Sequence, residues 1–170
     1  MKNRELLETE INNQYSERFK KFGATPKGVF WVSNERQETR FNLILKEIQK
    51  ISPKQTVLDI ADIGCGYGSF ADYLFKKINR DDFKYEGLDI NKDLIEHCHR
   101  NFSESNLRFV VGCKPSSDKD FVIMSGTYNL ATTKDVSLWE QYLFDCLSEC
   151  WALAKSAMIF NLQTSEKRKI

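Results

Sequence analysis

The chain has 170 residues, 41% hydrophobic, 12% aromatic and 29% charged, which is the composition of a globular domain and excludes a disordered or low-complexity chain. That length fits one domain with a real core and is cramped for two. Lys and Arg number 25 against 24 Asp and Glu, so the near-zero balance argues against a strongly basic nucleic-acid footprint.

The start, Met1 to Glu8, has no signal-peptide core, and no apolar run approaches the roughly 20 residues that span a bilayer. Leu6, Leu7, Ile11, Tyr15 and Phe19 recur at helical spacing. Gly23 to Gly28, with Pro26, interrupts. Phe41, Ile44, Leu45 and Ile48 mark a second helix, which Ser52-Pro53 ends. From residue 56 the pattern changes. Thr56 to Ile63 reads as a strand that stops at glycines. Ser69 to Ile78 reads as a helix that Ser69 can cap, with Asp72 three residues on. Phe83 to Ile90 is a strand, and Asn91 caps a helix with Leu94, Ile95, Cys98 and Phe102 inward. Leu107 to Val111 and Phe121 to Met124 are short strands. The crossover between them, Val111 to Asp120, has no apolar helical face. Asp135 or Ser137 opens a long helix through Cys150 and Leu153. Ala157 to Leu162 is a last strand, and a polar tail follows.

Strands separated by helices imply βαβ crossovers. The expected fold is α/β: a Rossmann-like, doubly wound, mainly parallel sheet of about five strands, helices on both faces, and an N-terminal helical leader. Residues 1–52 form the leader or lid and 56–162 the α/β core of a single domain. The five cysteines are odd in number and scattered, which points to reduced thiols and a cytoplasmic location.

Chemistry concentrates in Asp59-Ile60-Ala61-Asp62-Ile63-Gly64-Cys65-Gly66-Tyr67-Gly68, a strand running into a glycine turn with a helix behind it. Glycines let backbone approach a ligand, and ligands of open α/β sheets bind beyond the carboxyl ends of the strands. A dinucleotide turn wants a third small residue where Ser69 stands, which disfavours an NAD-dependent oxidoreductase. A second acid, Asp89, ends the next strand at the spacing of a βαβ unit. A carboxylate there can accept both hydroxyls of a ribose.

The G-x-G-x-G spacing, the acid before it, Asp89, and Asp120 to Thr127 as a fourth strand with its loop together resemble class I S-adenosylmethionine-dependent methyltransferases. The resemblance covers residues 56–162 in family order. Phe22-Gly23-Ala24-Thr25-Pro26 and Trp31-x-Ser33-x-x-x-Gln37-x-x-Arg40-Phe41 resemble the leader of a small bacterial branch of that family. It implies S-adenosyl-L-methionine as cofactor. Asp62 is expected near the methionine amino group, and Gly64, Cys65, Gly66 and Gly68 along the methionine and ribose. Asp89 is expected on the ribose diol at the rim, Ile90 beside the adenine, and Ser125 and Gly126 closing the donor pocket. No metal site is expected: His97-Cys98-His99 with Cys113 could suggest one, but neighbouring residues on a helix point apart. The aspartate-proline-proline-tyrosine pattern of enzymes that methylate nucleic-acid amines is absent, because Ser125-Gly126-Thr127-Tyr128-Asn129 stands there. A small-molecule acceptor is therefore expected, with nucleic acid and membrane disfavoured. No histidine adjoins a recognised motif, so no catalytic base is nominated.

Three departures stand out. Asp59 repeats the strand-end acid three residues early, which means either an extended strand burying it or a bulge. Cys113 follows Gly112 where the family often places an adenine-binding acid. The chain ends one strand after Trp151, short of the family's usual two further strands, leaving Met158, Ile159, Phe160 and Leu162 on an edge that invites homodimerisation. The alternative reading is an S-adenosylmethionine-binding sensor or subunit with reduced catalysis. Phe30 and Trp31 are either a lid or an ordinary hydrophobic clamp, and Tyr128-Asn129 either touch the acceptor or shape the loop.

Overall fold

The computed structural model describes residues 2–53 and 57–163. Helix α1 (Lys2–Phe22) and a 3-10 turn (Pro26–Val29) lead into α2 (Asn34–Ile51). Strands and helices then alternate through β1 (Leu58–Ile63), α3 (Ser69–Lys77), β2 (Phe83–Asp89), α4 (Lys92–Asn101), β3 (Leu107–Val111), β4 (Lys119–Ser125), α5 (Val136–Trp151) and β5 (Ala154–Asn161). The sheet order is β3-β2-β1-β4-β5, and every neighbouring pair is parallel. The chain starts at the sheet centre, winds outward to β3, then returns to β4. Strand order thus reverses between β1 and β4, and a crevice opens beyond their carboxyl ends.

Both sheet faces are covered. Ile60, Phe121 and Ile123 pack with Phe41, Ile44, Leu45 and Ile48 of α2 and with α3 and α4. On the other face Ala61, Ile63, Val122 and Met124 pack with Leu7 of α1 and with Tyr142, Cys146 and Cys150 of α5. Coverage on two sides explains why the central strands read as nearly continuous apolar runs. Ser33 caps α2 by accepting from Arg36 N at 3.3 Å, and Asn91 caps α4 by accepting from Leu94 N at 3.1 Å.

Several boundaries differ from the sequence reading. β1 begins at Leu58, and Thr56 lies outside the described residues. Ser69 does not cap α3: Gly68, at φ 84°, occupies the cap, and Ser69 Oγ instead accepts from Gln37 Nε2 at 3.0 Å. Asp135, not Ser137, caps α5, by accepting from Leu138 N at 3.0 Å. β5 begins three residues earlier than expected, because Ala154 pairs with Lys119 of a longer β4.

No helix fills the β3–β4 crossover. Its loop is anchored by buried Glu86, whose Oε1 accepts from Ser116 Oγ at 2.7 Å. Lys119 Nζ lies 3.3 Å from Glu86 Oε2 and 3.2 Å from Asp59 Oδ1. This accounts for Asp59. The strand extends without a bulge against β2, and Asp59 sits half-buried in an ion cluster at the end away from the glycine turn. β5 lies at one edge of the sheet, with Phe160 and Leu162 exposed. Among the described residues no helix is long and apolar enough to cross a membrane.

Candidate active site

The glycine turn is built by three contacts. Gly64 N and Cys65 N donate to Leu88 O at 2.7 and 2.9 Å, which staples the turn to β2. Gly64 adopts φ 75°, and a Cβ there would fall 2.6 Å from Thr127 Cγ2, so only glycine fits. Thr127 is held in place by donating from Oγ1 to Ile63 O at 2.5 Å. Asp89 then closes the turn: Oδ2 accepts from Gly66 N at 3.0 Å and Oδ1 from Asn91 N at 2.9 Å. Asp89 is therefore not a rim group, being only 9% exposed.

Asp62 ends β1 on the same side. Its Oδ2 accepts from Tyr85 Oη at 2.6 Å. Burial pushes the Asp62 carboxyl up to about 7, with the hydrogen bond from Tyr85 opposing and the charge of Asp89 adding to the rise. Burial likewise pushes Asp89 up to about 6, against the two backbone N–H groups that favour its ionised form.

Asp62, Gly64, Cys65, Gly66, Asp89, Ile90, Ser125 and Gly126 all line one cavity in the crevice. Gly68 does not. It faces Phe102 and Cys98 at the start of α3, where a Cβ would fall 2.5 Å from Phe102, so its glycine serves helix packing rather than the cavity. Cys65 contributes backbone. Its thiol is buried near Gly66 O, and burial pushes it well above an ordinary thiol, away from nucleophilic chemistry.

Sequence reasoning expected residues 1–52 as a leader or lid but did not name the α1 residues that reach the cavity. Asn12 and Tyr15 of α1 line the cavity with Val29, Trp31 and Gln37. Asn91, identified only as a helix cap, also donates from Nδ2 to Asn12 Oδ1 at 2.7 Å and Ser16 Oγ at 2.8 Å, tying α1 over Asp89. The available signal was the position of Asn91 directly beyond the strand-end acid. Trp31 packs its ring against Gly126, so it is a wall of the cavity. Cys113 also lines the cavity, with Arg4 Nη2 3.1 Å from its Sγ.

The cavity has a consistent charge demand. Two buried carboxylates face it, and no Lys, Arg or His is among the described residues that line it. Ser125 Oγ is buried there without a hydrogen-bond partner among the described residues. A ligand carrying positive charge and hydroxyls would relieve all three groups. Each Asp89 oxygen keeps a lone pair for a ribose hydroxyl, since a carboxylate offers about four acceptor sites. A nucleoside with a sulfonium and an ammonium group fits this donor set.

A family model described as "Methyltransferase domain" matches residues 60–156. A curated Mycobacterium tuberculosis protein carrying a methyltransferase name is 26% identical over 107 residues, which cover 62% of this chain and 63% of that protein. The fatty-acid O-methyltransferase of Mycolicibacterium smegmatis is 37% identical over 65 residues, 36% of this chain and 23% of that one. A Leishmania major structure described as an S-adenosylmethionine-dependent methyltransferase superposes with a TM-score of 0.67 at 16% identity, over 92% of this chain and 62% of that chain. The chain thus spans less than two thirds of the length of these relatives.

Proposed function

The chain belongs to the methyltransferase-domain family, and from that premise we propose that it transfers a methyl group from S-adenosylmethionine to a small-molecule acceptor. One observation carries the proposal: a cavity at the topological switch point that holds Asp62 and Asp89 buried and no cationic side chain among the described residues. When bound, S-adenosylmethionine supplies an already activated methyl group on a sulfonium. The residues of this chain bind and orient. Asp89 takes the ribose, Asp62 the ammonium, and the Gly64–Gly66 backbone leaves room for both. Gly126, Trp31 and Tyr15 exclude water from the reacting end, and such positioning and desolvation supply much of the acceleration in a displacement of this kind.

A small-molecule acceptor is supported by the near-neutral charge and by α1 roofing the cavity. The name of the Mycolicibacterium smegmatis relative points the same way. Five free cysteines agree with a cytoplasmic location. The exposed Phe160 of β5 and Leu162 just beyond it support homodimerisation through that edge. A second reading, S-adenosylmethionine binding with reduced catalysis, draws on Cys113, a thiol in contact with Arg4 where the family often has an adenine-binding acid. Methyl transfer from labelled S-adenosylmethionine into a metabolite extract separates the two. The first predicts labelled small molecules above a boiled-protein control, and the second predicts binding with no labelled product.

A further inference from the structure

Outside the cavity, the buried face of α2 leaves an opposite stripe free. Arg36, Thr39, Arg40 and Leu43 follow one another at helical spacing and line a second groove. Its other wall is apolar: Phe30 and Val32 from the segment before α2, and Leu130 from the loop after β4. Val32 is 69% exposed, Leu43 59% and Phe30 36%, which is a concentration of apolar surface that isolated exposed residues do not produce.

This groove shares a wall with the donor cavity. Trp31, Gly126, Tyr15 and Val29 line both. Charge is sorted across that wall. Among the described residues the cavity side carries Asp62 and Asp89 and no basic lining residue, whereas the groove side carries Arg36 and Arg40 and no acidic lining residue. Neither guanidinium has a carboxylate partner among the described residues. Arg40 lies at the seam, its Cζ 5.3 Å from the centre of the Trp31 ring.

We propose that this groove is a second binding site, beside the donor cavity, and that it takes an amphiphilic carboxylate. The apolar body lies along Phe30, Val32, Leu43 and Leu130, and the carboxylate is held by Arg36 and Arg40, one helical turn apart. Guanidinium groups match the two oxygens of a carboxylate in a planar fork. The buried acids repel the same anion from the donor side, so the two ligands are sorted by charge. The proposal goes beyond the donor-cavity reading above, and the binding is independent of it.

Calorimetric titration tests it, with octanoate, octan-1-ol and octylammonium as probes, on the chain alone and with S-adenosylhomocysteine present. Octanoate is expected to bind at least tenfold more tightly than either of the other two. The double variant Arg36→Gln/Arg40→Gln is expected to weaken octanoate at least tenfold with an unchanged melting temperature. Leu43→Asp, on the apolar wall, is expected to weaken it as well, which serves as a second route should the double variant not fold. Equal binding of octanol and octanoate, no octanoate binding, or octanoate affinity unchanged in the folded variants would overturn the proposal. The S-adenosylhomocysteine titration of the same preparation reports separately. Its failure with a normal octanoate pattern removes the donor reading and leaves the groove; the reverse removes the groove and leaves the donor site.

Discussion

At the residue scale, the buried carboxyls Asp62 and Asp89 set the charge of the cavity. Burial raises both carboxyls from an ordinary value of 3.8, to about 7 and about 6. Raised acids favour the folded state in their protonated form. That contribution is full below about pH 4 and is lost as pH rises through 6 to 7. The melting temperature of the ligand-free chain is therefore expected to fall between pH 5 and pH 8, with a flatter profile in Asp62→Asn. An equal slope in that variant would contradict the assignment. A cationic nucleoside reverses the preference, so its binding strengthens over the same window. The variant Asp89→Ala is expected to weaken S-adenosylmethionine by roughly 2–3 kcal/mol, as befits charged hydrogen bonds. It should also lower stability, because Gly66 N and Asn91 N lose their acceptor. Unchanged affinity in a folded variant would put the ribose elsewhere. These acids were legible in the sequence because strand ends and glycine turns are local features. Gly68 is harder to assign, because a glycine required by the packing of Phe102 looks the same in sequence as one required by a ligand.

At the element scale, helices and strands were legible where apolar periodicity is strong, as in α2, and where a cap is followed by an amphipathic run, as at Asn91. Boundaries failed where pairing decides them. β4 and β5 extend each other through the Lys119–Ala154 pair, which no local pattern announces. The missing crossover helix was visible as a stretch without an apolar face, but its replacement was not. Glu86 belongs to a strand, and only the fold brings Lys119 and Ser116 to it. Lys119→Met is expected to leave the buried Glu86 carboxylate with Ser116 and the exposed Arg108 as its remaining partners and destabilise the chain by about 3 kcal/mol, the cost of breaking a buried pair from one side. Urea unfolding of the variant checks this, and a change below about 0.5 kcal/mol would mean the pair is no more than a surface contact.

At the scale of the whole molecule, the parallel sense of the sheet follows from the alternation of strands and helices, whereas the strand order and its switch point between β1 and β4 were not read. A leader or lid over residues 1–52 was expected, but not the bond by which Asn91 reaches Asn12 of α1 across more than seventy residues of sequence separation. The β5 edge predicts self-association. Light scattering over a tenfold concentration range should show mass rising above that of a 19.8 kDa chain, and a constant monomer mass would mean the edge is satisfied within one chain. The acid-lined cavity is proposed as the donor site for S-adenosylmethionine. Calorimetric titration with S-adenosylmethionine at pH 6.5, in two buffers of different ionisation enthalpy, is the decisive measurement. One site per chain and proton release on binding are expected, as Asp62 and Asp89 ionise against the cationic ligand. The absence of binding heat at millimolar nucleoside, or binding with no proton release, would contradict it.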